Sequence, residues 1–190
     1  MNCVALGRSL KMELEIDELL VGLIQDATQK ALKKLFDNHK EKFYYCSLIT
    51  TGEGLCPIIS AWSQEALERT AKQEQDVEKA KYYLKWSYAE TPYFAYGEEY
   101  FENVNSAFLE RKRKLMTEQE RDKEIQLRIN SMEKAMHNLD MDGMFGQGKE
   151  RLGIVINAEV VPPDFTNTER ALRLNPREAL NEWLEEIAEV

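Results

Sequence analysis

Between Leu14 and Phe36 the apolar residues Ile16, Leu19, Leu20, Leu23, Ile24, Ala27, Ala31, Leu32 and Leu35 return at steps of three and four. That spacing predicts one long amphipathic helix with a single core-facing stripe. The run Phe43–Thr50, FYYCSLIT, is instead aromatic and β-branched on both alternating faces, the pattern of a strand covered on both sides. Thr51-Gly52-Glu53-Gly54 supplies turn chemistry, and Leu55–Trp62 reads as the return strand, with Pro57 at an edge or a strand start. Ser63 caps a helix from Ala66 onward, with Glu65 and Glu68 in its first turns. A short strand is expected over Tyr82–Tyr88, broken by Thr91-Pro92.

Gly97 opens a helix with the stripe Phe101, Val104, Phe108. Thr117 and Glu120 form a capping box for another, whose stripe is Ile125, Ile129, Met132, Met136 and Leu139. Leu152, Ile154, Ile156, Ala158 and Val160 alternate with more polar neighbours, which predicts a one-faced strand closed by Pro162-Pro163. Thr166 with Glu169, and Asn175-Pro176-Arg177-Glu178, are two further helix starts. The order of these elements predicts an α+β fold, a mostly antiparallel sheet of about four or more strands packed with several amphipathic helices.

The 190 residues suit one domain, 1–190, in which residues 1–11 form a frayed extension because Met12 begins a cleaner helix than Met1. A net charge of -9 argues against nucleic-acid binding, which needs clustered Lys and Arg, and favours a basic protein as partner. The one basic cluster, Arg111–Lys114, sits among acidic neighbours and reads as a solvated helix end. No signal sequence and no run approaching roughly 18 apolar residues is found, so a cytoplasmic location without membrane contact is expected. Cys3, Cys46 and Cys56 are too few and too scattered for a zinc or redox motif and read as free thiols.

The stretch Asn138–Arg151, NLDMDGMFGQGKER, resembles the opening of two ligand loops and completes neither. A calcium loop needs a bidentate Glu at its twelfth position, and Lys149 stands there. A phosphate loop needs Ser or Thr after its Lys, between a strand and a following helix, whereas Glu150 follows Lys149 and the predicted order is reversed. A helix-to-strand corner with Gly143 in the left-handed conformation is the simpler reading. An alternative left open is a small anion held by the amides of Gly146 to Gly148 with Lys149 and Arg151.

Glu98 and Glu99, with Tyr93, Tyr96 and Asn105 nearby, invite an acid–base reading, yet carboxylates in a first turn also complement the helix dipole. Glu133 and His137 share a helix face without the remaining ligands of a metal site; no metal and no cofactor is expected.

Taken in order, the Thr51-Gly52-Glu53-Gly54 turn, Trp86-Ser87, Pro92-Tyr93, Gly97-Glu98, Phe101 with Asn105, Gly143-Met144-Phe145-Gly146 with Arg151, and Leu174-Asn175-Pro176 resemble a bacterial family labelled domain of unknown function 4303. Thr51 stands where that family's pattern leads one to expect Asp. The resemblance runs over roughly Leu14 to Trp183 and implies a bacterial, cytoplasmic, single-domain α+β protein; it transfers no catalytic residue.

Two functional readings follow. The first, which the absence of a completed catalytic motif favours, is a non-enzymatic interaction module of immunity or regulatory type that meets a basic partner through an acidic surface such as Glu178, Glu182, Glu185, Glu186 and Glu189. The second is a small enzyme or ligand-binding domain whose site joins Trp86, Tyr93, Glu98 and Asn105 to Gly146, Gly148 and Arg151. It requires those segments to converge.

Overall fold

In the computed structural model residues 15–114 and 117–187 are described. The extension foreseen for residues 1–11 and the helix start at Leu14 lie outside them. Helix α1 (Glu18–Asn38) begins where the Asp17 carboxylate accepts from the Leu19 and Leu20 amides, and it buries Leu20, Ile24, Ala31 and Leu35. Strand β1 (Phe43–Thr51) follows and is buried over all its interior positions, as its two-faced hydrophobicity requires. Strand β2 (Ile58–Ser63) returns beside it, and the Ser63 hydroxyl then caps α2 (Gln64–Ala71) at the Ala66 amide.

The sheet corrects the expected architecture. Among the described residues it has three strands in the order β2-β1-β3, where β3 is Val155–Val161, and it is mixed. β1 runs antiparallel to β2 and parallel to β3, with Ser47 beside both Ser60 and Asn157. It is therefore not a mostly antiparallel sheet of four or more strands. A parallel neighbour needs a long crossover, and here the chain between Thr51 and Val155 supplies it, largely as helix. The strand expected over Tyr82–Tyr88 is absent because that sequence closes helix α3 (Val77–Leu84), which starts at the Asp76 cap and buries Ala80 and Leu84, one turn apart.

A short 3₁₀ turn, Glu98–Phe101, leads into α4 (Glu102–Lys112), and α5 (Glu118–Met141) starts at the predicted capping box of Thr117 and Glu120. Helix α5 packs along α1 and against β3. Its end is a Schellman turn: Gly143 has φ 79°, its amide donates to Asp140 and the Met144 amide donates to Leu139. After β3 come α6 (Phe165–Leu174), a 3₁₀ turn (Arg177–Leu180) and α7 (Asn181–Glu186).

The outer edge of β3 meets side chains in place of a fourth strand. Asn175 accepts from the Ile156 amide and donates to the Ile156 carbonyl; Asn167 does the same for Val160; Arg170 donates to the Ala158 carbonyl. Alternate residues of β3 thus have their outward backbone groups satisfied by α6 and its C-terminal cap. At the opposite edge of the sheet, the Thr91 hydroxyl donates to the Ala61 carbonyl of β2.

Candidate functional site

An acidic groove of about 490 Å³ lies between the return of the β1–β2 hairpin and the start of α4. Cys56, Pro57 and Ile58 form one wall with Phe101, and Glu98, Glu99, Glu102 and Asn105 line the other. Helical periodicity explains the division: Phe101, Val104 and Phe108 turn into the core, while Glu98, Glu102 and Asn105 recur on the solvent side. Gly97 makes the approach feasible. It has φ 72°, and a Cβ there would lie 2.6 Å from the Ala31 Cβ of α1, so only glycine lets the 3₁₀ turn sit this close.

The groove's charge is unevenly compensated. Glu99 bonds to Lys34 at 2.5 Å, which holds its carboxyl below the ordinary range. Glu98 and Glu102 form no ion pair among the described residues. Burial pushes the Cys56 thiol up to about 11, only partly opposed by Arg128, so near neutrality it is a protonated thiol, which donates to the Phe101 carbonyl. The groove thus presents negative charge over an apolar wall and offers no activated nucleophile. No group of three or more His, Cys, Asp or Glu side chains suited to a metal exists among the described residues.

A second, apolar pocket of about 290 Å³ lies at the C-terminal ends of the parallel pair, lined by Ile49, Thr50, Thr51, Leu55, Cys56, Ile58, Tyr88, Phe94 and Val161. Cys56 and Ile58 also line the acidic groove, so the two depressions share a wall. On the same sheet face, by register and alternation, run Tyr45, Ser47, Asn157 and Glu159. The Glu159 carboxylate accepts from the Tyr45 hydroxyl at 2.7 Å. Burial raises its pKa, against the opposing hydrogen bonds of Tyr45, Ser47 and Asn157.

The residues singled out in the sequence are distributed over several places. Glu98 and Asn105 come together in the acidic groove. Trp86 lies in a separate recess with Tyr82, Tyr83 and Ser87, its indole donating to Glu186. The Tyr93 hydroxyl donates to Glu41, and its ring packs on His39 at 4.8 Å. Arg151 is turned inward and engaged with Asp140, the Ile154 and Leu174 carbonyls and Asn175. Gly146 carries the Glu150 side chain against it, and Gly148 faces open space. Trp86, Tyr93, Glu98 and Arg151 therefore do not line a common cavity among the described residues.

Two features escaped the sequence reading. Glu102 lies one helical turn beyond Glu98, and that spacing is a signal that finds it. Glu41 has no such signal: its carboxylate is held by Ser63, Arg69 and Tyr93, residues from distant segments that only the fold assembles. The Ser63–Glu41 contact resembles a nucleophile–base pair, yet the same hydroxyl caps α2, which makes it structural.

In the acidic run near the C-terminus two carboxylates share one cation, and Glu178 and Glu185 form no ion pair among the described residues. Lys85 pairs with both Glu182 and Glu186, and Glu189 lies outside the described residues.

A family model described as Domain of unknown function (DUF4303) matches residues 24–176, and the chain belongs to that family. No curated protein and no solved structure matches the chain. No helix among the described residues is long and apolar enough to cross a membrane.

Proposed function

We propose that this member of the DUF4303 family is a bacterial, cytoplasmic, non-enzymatic interaction module of immunity or regulatory type, and that its acidic groove receives a basic segment of a partner protein. The observation that carries this reading is a groove in which Glu98 and Glu102 have no cation of their own while Glu99 is already paired with Lys34. Two unpaired carboxylates beside an apolar wall favour a Lys or Arg side chain whose stem lies on Pro57 and Ile58. The overall charge of -9 adds long-range attraction for the same kind of partner. The reading of a ligand site joining Trp86, Tyr93, Glu98, Asn105 and Arg151 has less support, since only Glu98 and Asn105 share a cavity, Trp86 lines another, and Tyr93 and Arg151 are engaged with Glu41 and with Asp140 and Asn175.

Affinity capture at low and high salt tests the proposal. The expected result is a stoichiometric basic protein that is lost at high salt and lost with Glu98→Lys/Glu102→Lys, but retained with Glu182→Lys, a residue already paired with Lys85. Retention of the same partner by the groove variant sinks the assignment of the site.

A further inference from the structure

The acidic groove and the apolar pocket are contiguous, because Cys56 and Ile58 belong to the walls of both. The pocket's rim leaves two large apolar side chains in water, Leu55 at 45% and Phe94 at 46% exposure. Scattered exposed apolar residues are ordinary, but these two border a concave apolar surface that adjoins unpaired carboxylates. From this juxtaposition, and resting on the reading above, we infer that the occupant is an extended basic segment carrying a large apolar side chain next to its cationic one. The cation sits at Glu98 and Glu102, and the apolar side chain fills the pocket behind Ile58.

Chemistry and geometry constrain the occupant in two ways. An extended chain advances about 3.3 Å per residue, so two subsites that share a wall select side chains one or two positions apart. The edge of β2 is engaged at Ala61 by Thr91, which leaves recognition to side chains more than to strand addition. The cationic and apolar requirements are separable, which makes them separately testable.

Fluorescence anisotropy with three labelled synthetic peptides reads this directly: one containing Lys-Leu-Lys, one containing Lys-Gly-Lys and one containing Ser-Leu-Ser. The Lys-Leu-Lys peptide is expected to bind about tenfold or more tighter than the Lys-Gly-Lys peptide, the Ser-Leu-Ser peptide not measurably. Glu98→Lys/Glu102→Lys removes binding of both basic peptides. Phe94→Ser, at an exposed position that leaves the core intact, lowers the Lys-Leu-Lys peptide to the level of the glycine one. Equal binding of the two basic peptides, or indifference to Phe94→Ser, overturns the two-part surface and leaves the acidic groove standing. Binding of neither basic peptide overturns both readings, and equal binding of the Ser-Leu-Ser peptide shows non-specific apolar adsorption and overturns the two-part surface.

Discussion

Burial alone raises the pKa of a carboxyl group, yet Glu41 and Glu159 end on opposite sides of the ordinary range because their partners differ. At Glu41 desolvation is outweighed by the Arg69 guanidinium and the Ser63 and Tyr93 hydroxyls, which together hold the carboxyl at about 2. A folded-state pKa below the unfolded one contributes stability that is present at neutral pH and is lost as pH falls from the ordinary carboxylate value through about 2. Because Arg69 is half exposed, the contribution is roughly 2 kcal/mol after allowance for solvent screening. Glu41→Gln is expected to lower stability by that amount near neutrality, and its deficit against the parent shrinks as the pH falls; urea unfolding across a pH series measures both. At Glu159 burial dominates the hydrogen bonds from Tyr45, Ser47 and Asn157, and the pKa is raised. The sign is then reversed: the contribution is full below the unfolded pKa and is lost as pH rises through the folded one. Glu159→Gln, a neutral isostere that can still accept from Tyr45, is expected to gain on the parent as pH is raised from about 4 to about 8. A stability difference that stays constant over that range contradicts the assignment. These two carboxylates were not readable from the chain, because the partners that define them lie far away in sequence.

Secondary structure was more legible than its arrangement, and the reason is the range over which each signal acts. The capping box of Thr117 and Glu120 and the Gly143 helix end are local chemistry, and the fold uses each where the sequence places it. The one-faced strand expected over Leu152 to Val160 differs: Leu152 lies in a 3₁₀ turn, β3 starts at Val155, and it is buried on both faces through Glu159, because Asn157 and Glu159 find hydrogen-bond partners inside. The strand expected over Tyr82–Tyr88 does not form: the Asp76 cap and the Ala80/Leu84 spacing place Tyr82 to Leu84 in the last turn of α3 despite the β-propensity of the tyrosines, and the chain turns away after Leu84. Strand pairing is non-local: nothing near Phe43 states that its strand lies parallel to one beginning at Val155. Asn175 shows the same limit. Its place before Pro176 reads as a helix N-cap, whereas its side chain closes the edge of β3 at both backbone groups of Ile156 and also donates to Ala171. Asn175→Ala leaves the outward N–H and C=O of Ile156 without this partner, while the Arg151 nitrogen keeps the Leu174 carbonyl and the Ala171 carbonyl keeps the backbone amide of residue 175, so a loss of about 2–4 kcal/mol is expected. Asn175→Asp keeps the acceptors but removes the amide donor and should fall between the parent and alanine. An alanine variant with an unchanged unfolding midpoint contradicts the edge-closing role.

For the whole molecule, the region that defines the family and the region that folds are different lengths. The family match runs over residues 24–176, yet the core extends beyond both limits. Leu20 and Val21 are buried ahead of it, and Leu180 and Trp183 are buried after it, at 0% and 2% exposure. The C-terminal part is also tied down by polar contacts: Glu186 accepts from the Trp86 indole and pairs with Lys85. Site legibility follows the same logic of distance. Glu98 and Asn105 were found together because they share one stretch of helix, while Trp86 and Tyr93 were drawn to Glu186 and Glu41 by contacts that cross the molecule. A chain ending after Pro176 removes Leu180 and Trp183 from the core and uncovers Trp86. Deleting one buried tryptophan alone typically costs about 3–5 kcal/mol. With marginal stability typically about 5–15 kcal/mol, the shortened chain is expected to be largely unfolded or to unfold at a far lower urea concentration, with loss of near-ultraviolet circular dichroism. The groove-lining residues remain present in that chain, so binding of the Lys-Leu-Lys peptide should fall together with folding. A shortened chain that keeps the parent's unfolding midpoint would show that the α7 segment is an appendage to the fold, and its contacts with Trp86 and Lys85 would then carry no structural weight.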